Sequence, residues 1–200
     1  MTISTAQIKE LREKTGAGVL DCREALEKSG GDLEGAMKIL REKGLAAAAK
    51  RAGRETHSGL LDLYSHGEGR VGVMVEVNCE TDFVARTEEF RTFAHEISLQ
   101  IAANNPQYLT KEDVPEDVIA EKSEDARNQA IHEGKPENVI DRIVDGRLQK
   151  FYEDQCLLLQ PYVRDDSLTV EELLTETIAK IGENITIRRF VRWEMGEVEE

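Results

Sequence analysis

No run of apolar residues approaches the ~20 needed to span a bilayer. The opening residues, Met1 to Thr5, lack the basic start and apolar stretch of a secretion signal, so a cytoplasmic protein is expected. There is no P-loop, no HExxH and no nucleophile elbow. Cys22, Cys79 and Cys156 are far apart, with no CxxC and no Cys/His cluster at metal spacing, so their expected role is that of small buried hydrophobes. His57, His66, His95 and His132 are scattered, and His95 falls inside a helical pattern as a surface or packing residue. No metal site, no cofactor and no enzyme are therefore expected. Gly67, Gly69 and Gly72 spell GxGxxG, but dinucleotide sites need a helix after those glycines. Here another strand pattern, Val71 to Val75, follows, which reads as a hairpin turn needing positive φ.

Positive charge is also scarce. Twenty-six Lys and Arg face 40 Asp and Glu, a net charge of −14, and such a chain is repelled by phosphate backbones. Nucleic acid and membrane are accordingly not expected as partners. One segment breaks the pattern: Arg41, Lys43, Lys50, Arg51 and Arg54 oppose the single acid Glu42. It lacks the interleaved aromatics of an RNA-binding stretch, and a solvated linker is favoured over a docking patch.

What is present suits a folded protein. With 40% hydrophobic and 33% charged residues in 200, the chain can form one good core, or a small domain beside a larger one. Residues 1–45 read as three short helices. Ser4 and Gln7 have capping-box spacing, Asp32 is an N-cap, and Leu33, Ala36, Met37 and Leu40 share one helical face. Gly44 suits the C′ position that ends the third helix. Residues 46–57 read as a basic linker, and 58–200 as an α+β core. In that core Leu61, Leu63 and Val71, Val73, Val75, Val77 alternate as a hairpin, with Gly72, Met74 and Glu76 on the opposite face. Thr87 caps a long helix carrying Phe90, Phe93, Ala94, Ile97 and Ile101. A helical hairpin is expected at about 116–155, turning at Glu133-Gly134-Lys135. Thr169 opens a last helix, and Ile185, Ile187, Arg189, Val191 and Trp193 alternate as a strand that can join the hairpin in a small antiparallel sheet. The acidic tail Glu197 to Glu200 is expected to fray.

One stretch has no obvious structural purpose. Glu76 to Arg86 runs from the hairpin to the helix at Thr87, and within it Phe83-Val84 follow Thr81-Asp82 directly. Two readings stand. Phe83 packs as core under the next helix, or it is an apolar knob presented to a partner's groove with Asp82 beside it as an acceptor, like the aromatic anchors of interfaces.

This stretch resembles the signature of bacterial elongation factor Ts, the family of guanine-nucleotide exchange factors for elongation factor Tu. Leu11-Arg12-Glu13-Lys14-Thr15-Gly16-Ala17-Gly18-Val19 with Asp21 to Leu26 is similar to a second family signature, except that Arg23 stands where Lys is usual. Gly134-Lys135-Pro136, Gly146-Arg147-Leu148, Gln160 to Val163, Ile181 to Ile185 and Phe190-Val191-Arg192 extend the likeness over nearly the whole chain, in order.

The resemblance implies a UBA-like three-helix bundle that docks on elongation factor Tu, in its GDP-bound and nucleotide-free forms, with Leu11, Arg12, Thr15, Gly16, Val19 and Arg23 as docking positions. It implies that Thr81, Asp82, Phe83 and Val84 insert beside the partner's Mg²⁺ site and dislodge the ion. GDP then leaves and GTP can bind. Longer family members carry two hairpin-containing lobes and this chain has one, which leaves room for a homodimer. The rival expectations are a general interaction module acting through the bundle, an RNA binder using Arg41 to Arg54, and an enzyme whose site is assembled from distant residues.

Overall fold

The computed structural model describes residues 3–197 of the 200. Its elements run α1 (Thr5–Thr15), α2 (Val19–Lys28), α3 (Leu33–Ala49), β1 (Ser58–His66), β2 (Val71–Cys79), α4 (Asp82–Ala85), α5 (Glu88–Asn104), α6 (Glu116–His132), α7 (Glu137–Gln155), β3 (Pro161–Tyr162), β4 (Asp165–Thr169), α8 (Val170–Ile181) and β5 (Ile185–Glu194). The fold is α+β. β1, β2 and β5 form one sheet in that order, and β3 pairs antiparallel with β4 in a second, two-stranded sheet. No helix among the described residues is long and apolar enough to cross a membrane. Of the acidic tail expected to fray, only Glu197 lies within the described residues.

The chain divides into two compact units interleaved in sequence. The first takes the residues up to Leu60, Val77–Phe93 and Leu174–Thr186; the second takes Leu61–Glu76, Ala94–Leu173 and the residues from Ile187 onward.

In the first unit, α1, α2 and α3 enclose a small core of Leu11, Cys22, Ala25, Leu26 and Ala36. The expected caps are present. Ser4 and Gln7 form a capping box, and Asp32 accepts from Gly35 N at 2.9 Å. Gly16 closes α1 at φ 67°, where a β-carbon would be strained. α3 does not stop at Gly44 but runs on to Ala49. Gly44 has a tertiary role instead: a β-carbon there would lie 3.2 Å from the Ala179 Cβ on α8. That glycine lets two helices approach; it does not end one. The neighbouring Lys43 is held by two acids. Lys43 Nζ donates to Asp21 at 2.7 Å and Glu24 at 3.3 Å, and its pKa rises, chiefly through the Asp21 hydrogen bond.

In the second unit, Val71, Val73 and Val75 of β2 are buried while Gly72 and Met74 are exposed, the expected alternation. Ser98 Oγ on α5 donates to Asp62 on β1 at 2.7 Å, and His95 Nδ1 lies 3.2 Å from the same carboxylate, which fixes α5 to the sheet. Gly67 and Gly69 take positive φ in the β1–β2 turn, as the hairpin reading requires. α6 and α7 form the expected helical hairpin around Ala126, Ala130, Ile140 and Val144. Gln100 and Gln160, both buried, bond to each other at 3.1 Å, and Gln100 Oε1 accepts from Val163 N at 2.7 Å. This pair satisfies buried polar atoms and anchors the β3–β4 segment, which alternation does not reveal.

The other face of the sheet is open. Leu63, Met74, Val191 and Trp193 line one shallow groove whose lining contains no charged residue. Trp193 is 66% exposed, so the alternation of β5 does not carry it into a core within this chain.

Two glycines give opposite expectations. A β-carbon at Gly59 would lie 2.2 Å from the Val77 carbonyl oxygen, whereas one at Gly146, inside α7, would meet nothing within 4 Å. Gly59→Ala should lower stability by about 1–3 kcal/mol through overpacking. Gly146→Ala should raise it by up to about 1 kcal/mol through helix propensity. Urea denaturation of both variants checks the pair.

Candidate functional site

The segment from Cys79 to Thr87 belongs wholly to the first unit. β2 ends at Cys79, and a single helical turn, α4, follows. Thr81 is its N-cap, its hydroxyl accepting from Val84 N at 3.4 Å. Thr87 closes the other end. Its hydroxyl donates to the Val84 carbonyl at 2.8 Å and accepts from Phe90 N at 3.3 Å, so it also starts α5. Val84 and Ala85 point inward and are buried.

Phe83 points the other way and is 78% exposed. The reading of Phe83 as core is therefore overturned: its side chain is presented to solvent. A fully buried phenylalanine contributes about 1.5–3 kcal/mol, which this residue forgoes in the free protein. Beside it, Asp82 is paired with Arg86 at 2.9 Å, both side chains about three-quarters exposed. Exposed pairs of this kind contribute at most about 1 kcal/mol, so Asp82 can release Arg86 for a better donor.

The turn is held from a distance of 102 residues in sequence. Glu183 Oε1 accepts from the Thr81 hydroxyl at 2.7 Å, and Oε2 accepts from Thr81 N at 3.0 Å. The link is returned one residue on each side: Asn184 N donates to Glu80 Oε1 at 2.6 Å, and Asn184 Nδ2 donates to the Arg54 carbonyl at 2.8 Å. Arg54 Nη1 lies 3.3 Å from the Glu80 carboxylate. The Asn184 backbone bond, with help from Arg54, holds the Glu80 carboxyl below its usual pKa. Asn184 is 2% exposed, which fixes the whole joint. Cys79 is buried behind it, its thiol donating to the Thr81 carbonyl at 3.2 Å; burial, then the Glu183 charge, pushes its pKa up to about 11. At neutral pH it is an inert thiol. All three cysteines are free and buried, as expected.

Thr81, Asp82, Phe83 and Val84 are thus brought together, with distinct tasks. Thr81 caps, Val84 anchors, and Asp82 and Phe83 face outward. Arg54, Glu80, Glu183 and Asn184 were not singled out as site residues. They fall within stretches noted in the sequence, but their tasks are not legible there, because their partners are far away in sequence.

The bundle positions separate in the same way. Leu11 is completely buried in the bundle core, so it supports a docking face and cannot touch a partner. Thr15 donates to the Leu11 carbonyl at 2.7 Å, and Gly16 caps α1, so both shape the α1–α2 corner. Arg12, Val19 and Arg23 are exposed, Arg23 in an ion pair with Glu27 at 2.9 Å. Leu20, unremarked in the sequence, is 80% exposed beside Val19. Among the described residues no group of three His, Cys, Asp or Glu could hold a metal ion.

Comparison with known proteins identifies the family. A family model described as elongation factor TS matches residues 33–197. The elongation factor Ts of Caldanaerobacter subterraneus subsp. tengcongensis is 63% identical over 195 residues, covering 98% of each chain. That of Coprothermobacter proteolyticus is 57% identical over 197 residues, 98% of this chain and 100% of its own, and that of Moorella thermoacetica is 55% identical over 195. The family model takes in the turn that carries Phe83, the relatives cover 98% of the chain, and the chain belongs to the elongation factor Ts family of translation elongation factors.

Proposed function

We propose that this chain is a cytoplasmic guanine-nucleotide exchange factor that binds elongation factor Tu–GDP, dislodges the partner's Mg²⁺ and promotes release of GDP so that GTP can bind. The observation that carries this reading is Phe83, a large aromatic held in water on a rigidly capped turn. The metal concerned is the partner's. The chain makes and breaks no covalent bond; it is not an enzyme but acts by differential binding.

The energetics divide the labour. Weakening GDP binding ~10⁴-fold requires roughly 5.5 kcal/mol of differential binding. Burial of Phe83 in the partner contributes about 1.5–3 kcal/mol. The bundle, through exposed Arg12, Val19 and Leu20, and the rest of the molecule must supply the remainder. Phe83 directs that energy to the metal site. The coupling is reciprocal: bound GDP weakens the factor's grip by the same ratio as the factor weakens GDP. Loss of Mg²⁺ removes charge neutralisation from the GDP phosphates and hastens their departure.

The open sheet face supports a second element of the reading, a homodimer. On a chain of net charge −14, two copies repel wherever acids meet. The groove of Leu63, Met74, Val191 and Trp193 is free of charge, and an isologous contact uses one patch twice. Two such faces would stack as a sandwich.

Catalytic amounts of the protein should strongly accelerate release of a fluorescent GDP analogue from elongation factor Tu, and Phe83→Ala should lose most of the acceleration while still binding. No acceleration by the unaltered chain would overturn the exchange reading. In sedimentation the protein should run at twice its 22.5 kDa chain mass, and Trp193→Glu should run as a monomer. A monomeric unaltered chain, or a shift only when elongation factor Tu is added, would assign the face elsewhere.

A further inference from the structure

We infer that Glu183 is a positioning residue of the exchange reaction, acting through Thr81 on the orientation of Phe83; the inference rests on the exchange reading above.

The distances rank the bonds at Thr81. Its cap to Val84 N is long, 3.4 Å, while its bonds to Glu183 are 2.7 and 3.0 Å. Hydrogen bonds weaken with length, and those to an ionised acceptor are about twice as strong as neutral ones. Glu183, not the cap, therefore sets the Thr81 side chain. With the hydroxyl proton committed to Glu183, an oxygen lone pair faces Val84 N. The cap forms in one orientation only, and the turn that carries Phe83 follows from it.

A carboxylate suits this task because Thr81 offers two donors, N–H and O–H, and both carboxylate oxygens accept. A glutamine in its place would turn an NH₂ group toward one of them.

Glu183 is itself held on both sides. Gly182, at φ 86°, ends α8 with its N–H on the Ile178 carbonyl at 2.9 Å. Asn184, buried, is tied to Glu80 and to the Arg54 carbonyl. The end of α8 also meets the bundle: a β-carbon at Gly16 would lie 3.2 Å from Lys180 Cε, and one at Gly44 would lie 3.2 Å from Ala179 Cβ. One helix end therefore bears on both the bundle and the knob's mount.

The test compares Glu183→Ala, Glu183→Gln, Thr81→Ser and Thr81→Val with the unaltered chain, with and without Phe83→Ala, in GDP-analogue release from elongation factor Tu. Glu183→Ala should lower the saturating exchange rate about tenfold, the scale of losing charge-assisted hydrogen bonds at a solvent-facing site, with little change in the half-saturating concentration. Glu183→Gln should fall between. Thr81→Ser should restore near-normal exchange, and Thr81→Val should match Glu183→Ala. Added to Phe83→Ala, Glu183→Ala should cost nothing more.

Amide hydrogen exchange at Val84 in the free protein gives a reading that needs no elongation factor Tu. Protection there should fall in Glu183→Ala while α5 stays protected. Unchanged Val84 protection overturns the inference whatever the exchange assay shows. So does a full additional loss in the Phe83→Ala background. Failure of the unaltered chain to accelerate release, with Val84 protection still dependent on Glu183, removes the exchange reading and leaves Glu183 as the residue that positions Phe83.

Discussion

The double hydrogen bond from Thr81 to Glu183 is the contact on which the site depends. An exposed phenylalanine has every physical reason to fold back onto the nearest apolar surface. Phe83 stays outward because its turn is fixed on three sides: by Thr81 and Glu183 at the start, by Thr87 at the end, and by Val84 and Ala85 beneath. The opposing link between Glu80, Asn184 and Arg54 repeats the arrangement one residue away. Binding free energy spent on ordering a loop is lost to the partner. A turn already ordered delivers its aromatic to a partner at less entropic cost.

Local rules account for what the sequence could reveal. Ser4–Gln7, Asp32, Thr87 and the alternating valines of β2 act over a few residues, and their elements formed where expected. Misreadings arose where distant residues decide. Gly44 looks like a helix stop but is a contact with Ala179. Leu11 belongs to a motif that looks like a docking surface but is core. Periodicity cannot tell a buried Phe83 from an exposed one, because the four-residue α4 has too few positions to define a face. Glu183 lies in a stretch that resembles the family, but nothing local tells its task, since its partner is Thr81, 102 residues earlier.

The acidic balance and the open sheet face point the same way. With 40 acids against 26 bases the chain carries a net charge of −14, which disfavours approach to phosphate backbones and to acidic surfaces wherever the charge is not locally offset. The groove around Trp193 has no charged residue in its lining, and the α1–α2 corner offers exposed Val19 and Leu20. Within the basic segment 41–54, Lys43 and Arg54 are engaged by Asp21, Glu24 and Glu80.

The central claim is that Phe83 is presented by a preformed turn and not by a loop that orders on contact. Backbone ¹⁵N order parameters of the free protein across residues 81–87 test it most directly. The account predicts values near ~0.85, equal to those of α5; values below about 0.6 would show a flexible loop and contradict it.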